Sequence, residues 1–183
     1  KQWSENTERL PLLKKVRSDT NVLEKLPATG PVIMPGPTGE RNRYSLQALA
    51  KVLCLGPMPE HALEQAMLAL AAGSAVLVVC PADTALQERI SQLKNLGAPI
   101  ELISCNPDAS EVAALEDLQA VCWWWQGRLS RELRQALAER SGPIVRLIQA
   151  DSPLVCFFHE RHVCNDTTRA GGNIELMGRV APQ

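Results

Sequence analysis

Between Lys51 and about Ala150 the chain alternates short apolar runs with amphipathic segments, and this alternation constrains the fold more than any other feature. A continuously apolar run is typical of a strand buried on both faces, and an amphipathic segment between two such runs is typical of a crossover helix. The sequence therefore predicts an α/β protein with a Rossmann-like, doubly wound parallel sheet of about five strands. The predicted strands are KVLCLG, SAVLVV, PIELIS, QAVCWWW and PIVRLIQ.

The segments on either side of this pattern are different in character. Residues 1–30 are charged and have too few apolar positions for a core, so we expect a linker or tether. Residues 31–50 begin with PVIMPGPTGERN, where three prolines and two glycines exclude an ordinary helix, which predicts an extended flap segment. Residues 51–150 form the predicted Rossmann-like domain, and 151–183 a flap strand followed by a C-terminal tail.

Composition excludes several classes of function. A chain of 183 residues is long enough for one well-buried domain, and a net charge of -1 gives no reason to expect a nucleic-acid partner. The longest apolar stretch is far too short to cross a bilayer as a helix, so no membrane insertion is expected. The six cysteines lack a CxxC pair and are predicted to be reduced thiols of a cytoplasmic protein. Because the chain starts at Lys1, we expect it to be part of a larger polypeptide.

The turns after the predicted strands lack the common nucleotide-binding motifs. A dinucleotide site of this fold needs glycines that let the backbone approach the pyrophosphate. The turns read LGPMPEH, VCPADTA, SCNPDAS and WWQGRLS, without GxGxxG or GxxxxGK[ST]. We therefore expect no cofactor in this domain.

Two motifs, PGPTGERNRYSL at Pro35–Leu46 and DTTRAGGNIELM at Asp166–Met177, resemble segments of the long proline utilization A family. Members of that family carry PGPTGERN just after their aldehyde dehydrogenase domain and end in a tail similar to NTAAAGGNASLM. Both motifs occur here in the right order and spacing. The resemblance covers roughly Gly30 to the C-terminus, and Asp166 and Arg169 depart from it, where Asn and Ala are expected.

The resemblance implies a function for the parent protein and another for this domain. In the family, an FAD-dependent domain oxidises proline, and an NAD-dependent aldehyde dehydrogenase domain oxidises the resulting glutamate semialdehyde to glutamate. The C-terminal domain resembles a decayed, non-catalytic copy of the dehydrogenase fold. The resemblance implies that this domain is a lid, which docks on the catalytic dehydrogenase domain of the same polypeptide and helps seal the tunnel through which the intermediate travels. The parent is expected in the cytoplasm, with peripheral association with the inner membrane left open.

The positions that match catalytic aldehyde dehydrogenases support this loss of chemistry. The KPAE turn that holds the adenosine ribose in that family corresponds to CPAD here, with Cys80 in place of Lys and Asp83 in place of Glu. The FTGS turn at the pyrophosphate corresponds to WWWQG, which is far bulkier. Leu147 falls near the position of the general base, and GQxC is absent, so no dehydrogenase activity is expected.

By the same resemblance, both ends of the chain supply the docking contacts. The expected domain-interface residues are Glu40, Arg41, Asn42, Asp166, Thr167, Gly171, Gly172, Asn173 and Met177. A bidentate arginine suits such an interface, and paired glycines permit close backbone approach.

Other interpretations remain open. Cys156, His159, His162 and Cys164 offer zinc-ligand types. In a strand, Cys156, His162 and Cys164 would share one face while His159 points to the other, so a metal site is not favoured.

The three tryptophans at 123–125 are read as core residues rather than as a stacking platform for an adenine or an exposed anchor for a partner. Strand alternation predicts Trp124 on one face of the sheet and Trp123 and Trp125 on the other, each against a covering helix. A residual NAD-binding or dehydrogenase domain is the alternative function. Oligomeric state, and a DNA-binding segment in the parent, are left open.

Overall fold

The computed structural model describes residues 3–16, 23–166, 168–169 and 172–173, and the chain divides into two compact units. The first unit comprises Lys1–Pro27 and Ala48–Phe158, and the second comprises Ala28–Gln47 and His159–Gln183. The α-helices are α1 (Arg9–Val16), α2 (Pro59–Ala72), α3 (Thr84–Asn95), α4 (Ala109–Ala114) and α5 (Arg128–Ala138). The strands are β1 (Val32–Met34), β2 (Glu40–Ala48), β3 (Lys51–Cys54), β4 (Ala75–Cys80), β5 (Ile100–Ser104), β6 (Ala120–Cys122), β7 (Arg146–Ile148), β8 (Phe158–Asp166), β9 (Thr168–Arg169) and β10 (Gly172–Asn173).

The first unit is built on a five-stranded parallel sheet with the order β5-β4-β3-β6-β7. Val52 of β3 lies opposite Val76 of β4 and Ala120 of β6, so the buried residues of adjacent strands are in register. On one face, Leu53 and Val121 join side chains of α4 and α5 in one apolar cluster. Helices α2 and α3 contact β3, β4 and β5, as right-handed crossovers on the other face require. The predicted Rossmann-like α/β fold is confirmed.

Local sequence explains where the helices begin and end. Pro59 opens α2 because the first helical position needs no amide hydrogen, and Gly73 ends it with a φ of 110°. Asp83 caps α3 by accepting a hydrogen bond from the amide of Leu86. Asp108 caps α4 in the same way.

Within the described ranges, none of the helices has both the length and the apolar character needed to span a membrane.

The N-terminal segment contributes to the first unit. Leu13 of α1 is fully buried, and the indole nitrogen of Trp3 donates a hydrogen bond of 2.8 Å to the carbonyl of Leu70 in α2. Arg9 donates to the carbonyl of Ala71 at the end of the same helix. The segment predicted as a tether over residues 1–30 therefore includes residues that pack in the core of this unit, because α1 carries an apolar face that α2 and α3 cover.

The second unit contains a three-stranded sheet with the order β1-β2-β8, which we call the flap sheet. Strands β1 and β2 form an antiparallel hairpin in which Val32 lies opposite Tyr44 and Met34 opposite Asn42. A second, two-stranded antiparallel sheet pairs β9 with β10. The extended segment predicted over residues 31–50 thus contains a hairpin, and the tail prediction lies only partly within the described residues.

Candidate functional site

The strand order locates the point at which this fold type binds ligands. Crossovers lead from β3 towards β4 on one side and from β6 towards β7 on the other, so the order reverses between β3 and β6. In open α/β sheets the ligand lies outside the carboxyl ends of the strands at that reversal. The turns that follow Cys54 and Cys122 are therefore the candidate site, which we call the switch crevice.

On the β3 side of the switch crevice, the side chain of Gln65 hydrogen-bonds the backbone amide and carbonyl of the turn. Its side chain is fully buried, donates a 2.8 Å hydrogen bond to the carbonyl of Gly56, and accepts a 3.1 Å hydrogen bond from the amide of the same residue. Gly56 has a φ of 87°, and a Cβ there would lie 2.8 Å from the amide nitrogen of Met58. The backbone of this turn is thus closed by a side chain of α2, although a phosphate would need its amide free.

Tryptophans occupy the β6 side of the same crevice. The amide of Trp124 donates to the carbonyl of Gly56 at 3.0 Å, which joins the two turns directly. The Trp124 ring lies 5.9 Å from the ring of His61 at an angle of 55°. The space between the turns therefore contains aromatic side chains.

The three tryptophans differ from the alternation predicted for them. Strand β6 ends at Cys122, so the residues beyond it do not follow strand periodicity. Trp123 is buried in the cluster beneath α4 and α5, as expected for a core residue. Trp124 is half-buried, but Trp125 is 61% exposed. The packing prediction was wrong for Trp125.

The turn after β4 has no cation that could hold a ribose or a phosphate. Cys80 is fully buried, and burial, together with the charges of Asp83 and Glu60, raises the pKa of its thiol. The thiol is therefore protonated at neutral pH and is a poor nucleophile. The Asp83 carboxylate accepts the amide of Leu86 at 2.7 Å, so it acts as a helix cap.

The other positions that matter for dehydrogenase chemistry are also apolar or buried. Cys54 and Cys122 lie opposite each other on β3 and β6, both without exposed surface. Burial, and then the hydrogen bond with Cys122, raise the pKa of Cys54 well above its usual range. Leu147, near the expected base position, packs against the apolar cluster.

The suggested cluster of four metal ligands does not assemble. Cys156 lies in a 3-10 helix, Leu154–Phe157, whereas His159, His162 and Cys164 lie in β8. Across the part of the chain that the structure describes, no three His, Cys, Asp or Glu side chains are placed to hold a metal ion.

A cavity of about 690 Å³ lies at the opposite, amino-terminal edge of the parallel sheet. Its lining includes the first residues of β3 and β4, and its two lysines pair with carboxylates: Lys51 with Asp117 and Lys94 with Glu101. This cavity is remote from the carboxyl ends of the strands, where this fold type carries its ligands.

The flap sheet contains the interface residues predicted near Pro35. Glu40 and Arg41 are exposed, but Asn42 is 8% exposed and donates a 3.2 Å hydrogen bond to the Glu40 carboxylate. A Cβ on Gly36 would lie 2.3 Å from the Asn42 amide nitrogen, so the glycine leaves room for that side chain. Asn42 therefore stabilises the hairpin turn.

The predicted interface residues of the tail are only partly described. Asp166 is exposed at the end of β8. Gly172 and Asn173 form β10, where Gly172 pairs with Arg169. Thr167, Gly171 and Met177 lie outside the described residues.

The sequence-based prediction missed the apolar strand of the flap sheet. Val32, Ile33 and Met34 of β1 are 54%, 67% and 43% exposed. A run of three large apolar side chains in an exposed edge strand is typical of a surface that another protein covers. The signal was present in the sequence as VIM between two prolines.

No family model matches the chain. It is 31% identical over 151 residues to the Bifunctional protein PutA of Escherichia coli (strain K12), and over 150 residues to that of Salmonella typhimurium. Each alignment covers 79% of this chain and 11% of the relative. The chain is homologous to part of the PutA proteins. This confirms the resemblance to proline utilization A.

Solved structures agree on the fold. A crystal structure of proline utilization A from Bradyrhizobium japonicum matches with a TM-score of 0.56 and 26% identity, over 75% of this chain and 14% of that one. An NAD-dependent benzaldehyde dehydrogenase from Corynebacterium glutamicum matches with a TM-score of 0.59 and 16% identity, over 77% of this chain and 33% of that one. The chain therefore has the fold of a part of the aldehyde dehydrogenase superfamily.

Proposed function

We propose that this chain is the non-catalytic C-terminal domain of a bifunctional proline-catabolic enzyme, where it acts as a lid on the aldehyde dehydrogenase domain. The observation that carries the proposal is the filled switch crevice in a chain homologous to PutA. A domain that keeps the fold but fills the ligand position is suited to a structural role.

The parent protein in this proposal converts proline to glutamate. Its proline dehydrogenase domain uses FAD, and its semialdehyde dehydrogenase domain uses NAD. The basis is the homology to proteins named Bifunctional protein PutA, of which this chain spans 11% of the length. We place the parent in the cytoplasm. This domain itself holds neither cofactor.

Three contacts support the absence of a dinucleotide from this domain. Gln65 satisfies the Gly56 amide, Trp124 and His61 occupy the space beside it, and Asp83 is committed to capping α3. A dinucleotide would have to displace a buried amide that makes two hydrogen bonds. Leaving the buried groups unpaired costs about 1–3 kcal/mol each.

The flap unit supports the docking role. It brings Ala28–Gln47 and His159–Gln183 into one unit, although the whole of Ala48–Phe158 separates them in the chain. Its edge strand β1 exposes apolar side chains that an isolated soluble sheet does not favour. In the proposal, these surfaces contact the dehydrogenase domain and help close the tunnel through which the semialdehyde passes.

A deletion in the full-length polypeptide tests the lid. Removing Asp166–Gln183 should introduce a lag in NADH formation from proline, because the intermediate escapes and must accumulate in solution. Arg131→Ala, an exposed change on α5, is the control and should show no lag. Unchanged coupled turnover in the deletion variant contradicts the lid.

A residual nucleotide-binding domain is the second candidate, favoured by the fold shared with an NAD-dependent dehydrogenase. Titration of the 183-residue chain with NAD, followed by calorimetry and by tryptophan fluorescence, separates the two. The lid proposal expects no saturable signal. Saturable binding at micromolar NAD would favour the second candidate.

A further inference from the structure

The parallel sheet is unevenly covered on the face that carries α4 and α5. Leu53, Leu77 and Glu101 lie side by side in register on β3, β4 and β5, so they share this face. Leu53 is fully buried in the apolar cluster, Leu77 is partly buried, and Glu101 is exposed. The cover decreases towards β5 because α4 has only six residues and packs against α5. A longer crossover helix would cover β4 and β5 as well.

The cavity of about 690 Å³ at the amino-terminal edge of the sheet lies beside this thinly covered part, and we call it the edge cavity. Its volume is within the range of roughly 300–1,000 Å³ that small-molecule sites occupy. Its apolar lining comes from β4, from the start of β5 and from the loop after α4, and includes Ala75, Leu77, Pro99, Ile100, Leu115 and Leu118. The edge cavity is therefore large enough for one small organic molecule and has an apolar floor.

The loop between α4 and β6 forms one wall of the edge cavity, and contacts within the first unit hold it in place. Arg140 donates a 2.9 Å hydrogen bond to the carbonyl of Leu115. The amide of Gln119 donates to the carbonyl of Lys51 at 3.2 Å, and the Asp117 carboxylate lies 3.3 Å from the Nζ atom of Lys51. A wall that is formed before a ligand arrives reduces the conformational entropy lost on binding.

Glu116 gives the mouth of the edge cavity an unbalanced negative charge. The two lysines of the lining pair with carboxylates, Lys51 with Asp117 and Lys94 with Glu101. Glu116 also lines the edge cavity and is exposed, and its carboxylate has no ion-pair or hydrogen-bond partner among the described residues. One carboxylate without a counter-charge therefore lies beside an apolar floor.

We propose that the edge cavity binds a small amine with an apolar body. The ammonium group pairs with Glu116, and the apolar body lies against Leu77 and Leu115, both of which are only partly buried. A carboxylate in place of the ammonium group would be repelled by Glu116, while both lysines of the lining are already paired. The site lies at the opposite edge of the sheet from the switch crevice, and the proposal does not depend on the lid function.

Three ligands with the same phenyl ring and different charged groups test the proposal in the 183-residue chain. 2-Phenylethylamine is a cation, L-phenylalanine is a zwitterion and 3-phenylpropionate is an anion. NMR spectroscopy of the protein follows the backbone amide signals as each ligand is added. The amine should bind with a Kd on the order of 1 mM and shift the signals of Leu77, Glu101 and Leu118. L-Phenylalanine should bind at least about threefold more weakly than the amine, and 3-phenylpropionate more weakly still.

Glu116→Gln separates recognition of the charge from a purely structural role of this side chain. The change should weaken binding of the amine about threefold to fivefold and strengthen binding of 3-phenylpropionate, because the lost charge attracts one ligand and repels the other. A structural role would move both affinities in the same direction. Glu88→Gln, on the exposed side of α3, makes the same change in net charge and should change neither Kd by more than about 1.5-fold.

Ala75→Leu tests the position of the apolar body, because the larger side chain occupies part of the edge cavity. It should weaken binding of the amine at least roughly fivefold, since apolar contact with the floor is lost. Thermal unfolding checks that the variant is folded, and the result with Glu116→Gln stands without it.

Three results would overturn the proposal. The first is binding of L-phenylalanine or 3-phenylpropionate as tight as that of the amine, since Glu116 would then not recognise the charged group. The second is an amine affinity that Glu116→Gln leaves unchanged, or no saturable shift up to about 20 mM amine. The third is a set of shifts centred on the exposed side chains of Met58 and Trp125, which would show adsorption to apolar side chains outside the edge cavity.

Discussion

At the scale of single residues, a few side chains decide what the switch crevice can hold. Gln65 is the clearest, because a buried amide in the middle of an apolar helix face must find partners, and it finds both backbone groups of Gly56. Asp83 shows the same principle in the next turn. By sequence, the Asp83 carboxylate matches the position of a ribose ligand. In the structure it caps α3, so its hydrogen-bonding capacity is used within the domain.

Gln65→Leu should lower the free energy of unfolding by roughly 2 kcal/mol. The change is nearly isosteric, but it leaves the amide and the carbonyl of Gly56 without the side chain that satisfies them. Urea unfolding followed by tryptophan fluorescence measures the effect. Gln87→Leu, on the exposed side of α3, is the matched control and should stay within about 0.5 kcal/mol of the wild type. Equal stability of the two variants would show that the Gly56 contacts contribute little.

At the scale of elements, α1 and the end of α2 behave as one structure. The last carbonyls of a helix have no partner within the helix, and here Trp3 and Arg9 donate to those of Leu70 and Ala71. Arg9 also donates to the carbonyls of Trp3, Ser4 and Asn6, so one guanidinium holds the turn that precedes α1 against α2. Partial burial lowers the pKa of Arg9, although the group stays charged at physiological pH.

Arg9→Met should destabilise the first unit by about 1–2 kcal/mol, since the positive charge at the C-terminus of α2 and several hydrogen bonds are lost together. Arg9→Lys keeps the charge but cannot reach several carbonyls at once, so it should lie between the wild type and Arg9→Met. Lys15→Met, exposed on α1, is the control. Thermal unfolding of the 183-residue chain measures all three, and a neutral Arg9→Met would mean that the segment is only a tether.

At the scale of the whole molecule, the two units differ in how many side chains they bury. The first has an apolar cluster on one face of its sheet and buried α2 residues on the other, whereas the flap sheet buries few side chains, among them Asn42 and Leu46. Local stability follows the amount of buried contact. The flap unit should therefore be the less stable part of the excised chain.

In the 183-residue chain, the amides of β1 and β8 should exchange at least about tenfold faster than those of β3, β4 and β6. The comparison is made within one sample by mass spectrometry of peptides, so each unit serves as the reference for the other. Equal protection would indicate that the flap sheet needs no partner for its stability, which would weaken the docking role.

The sequence alone was sufficient to predict the parallel sheet. A strand buried on both faces and its crossover helix have distinct hydrophobic periodicities, and these do not depend on residues distant in the chain. It was also sufficient for the kinship with PutA, which rests on two short motifs. Tertiary structure alone revealed that Gln65 closes the Gly56 turn, that Trp125 is exposed, and that α1 packs on α2. Each of these depends on which residues distant in the chain become neighbours, and a helix end, a strand end or a cross-strand register is set by packing rather than by local preference.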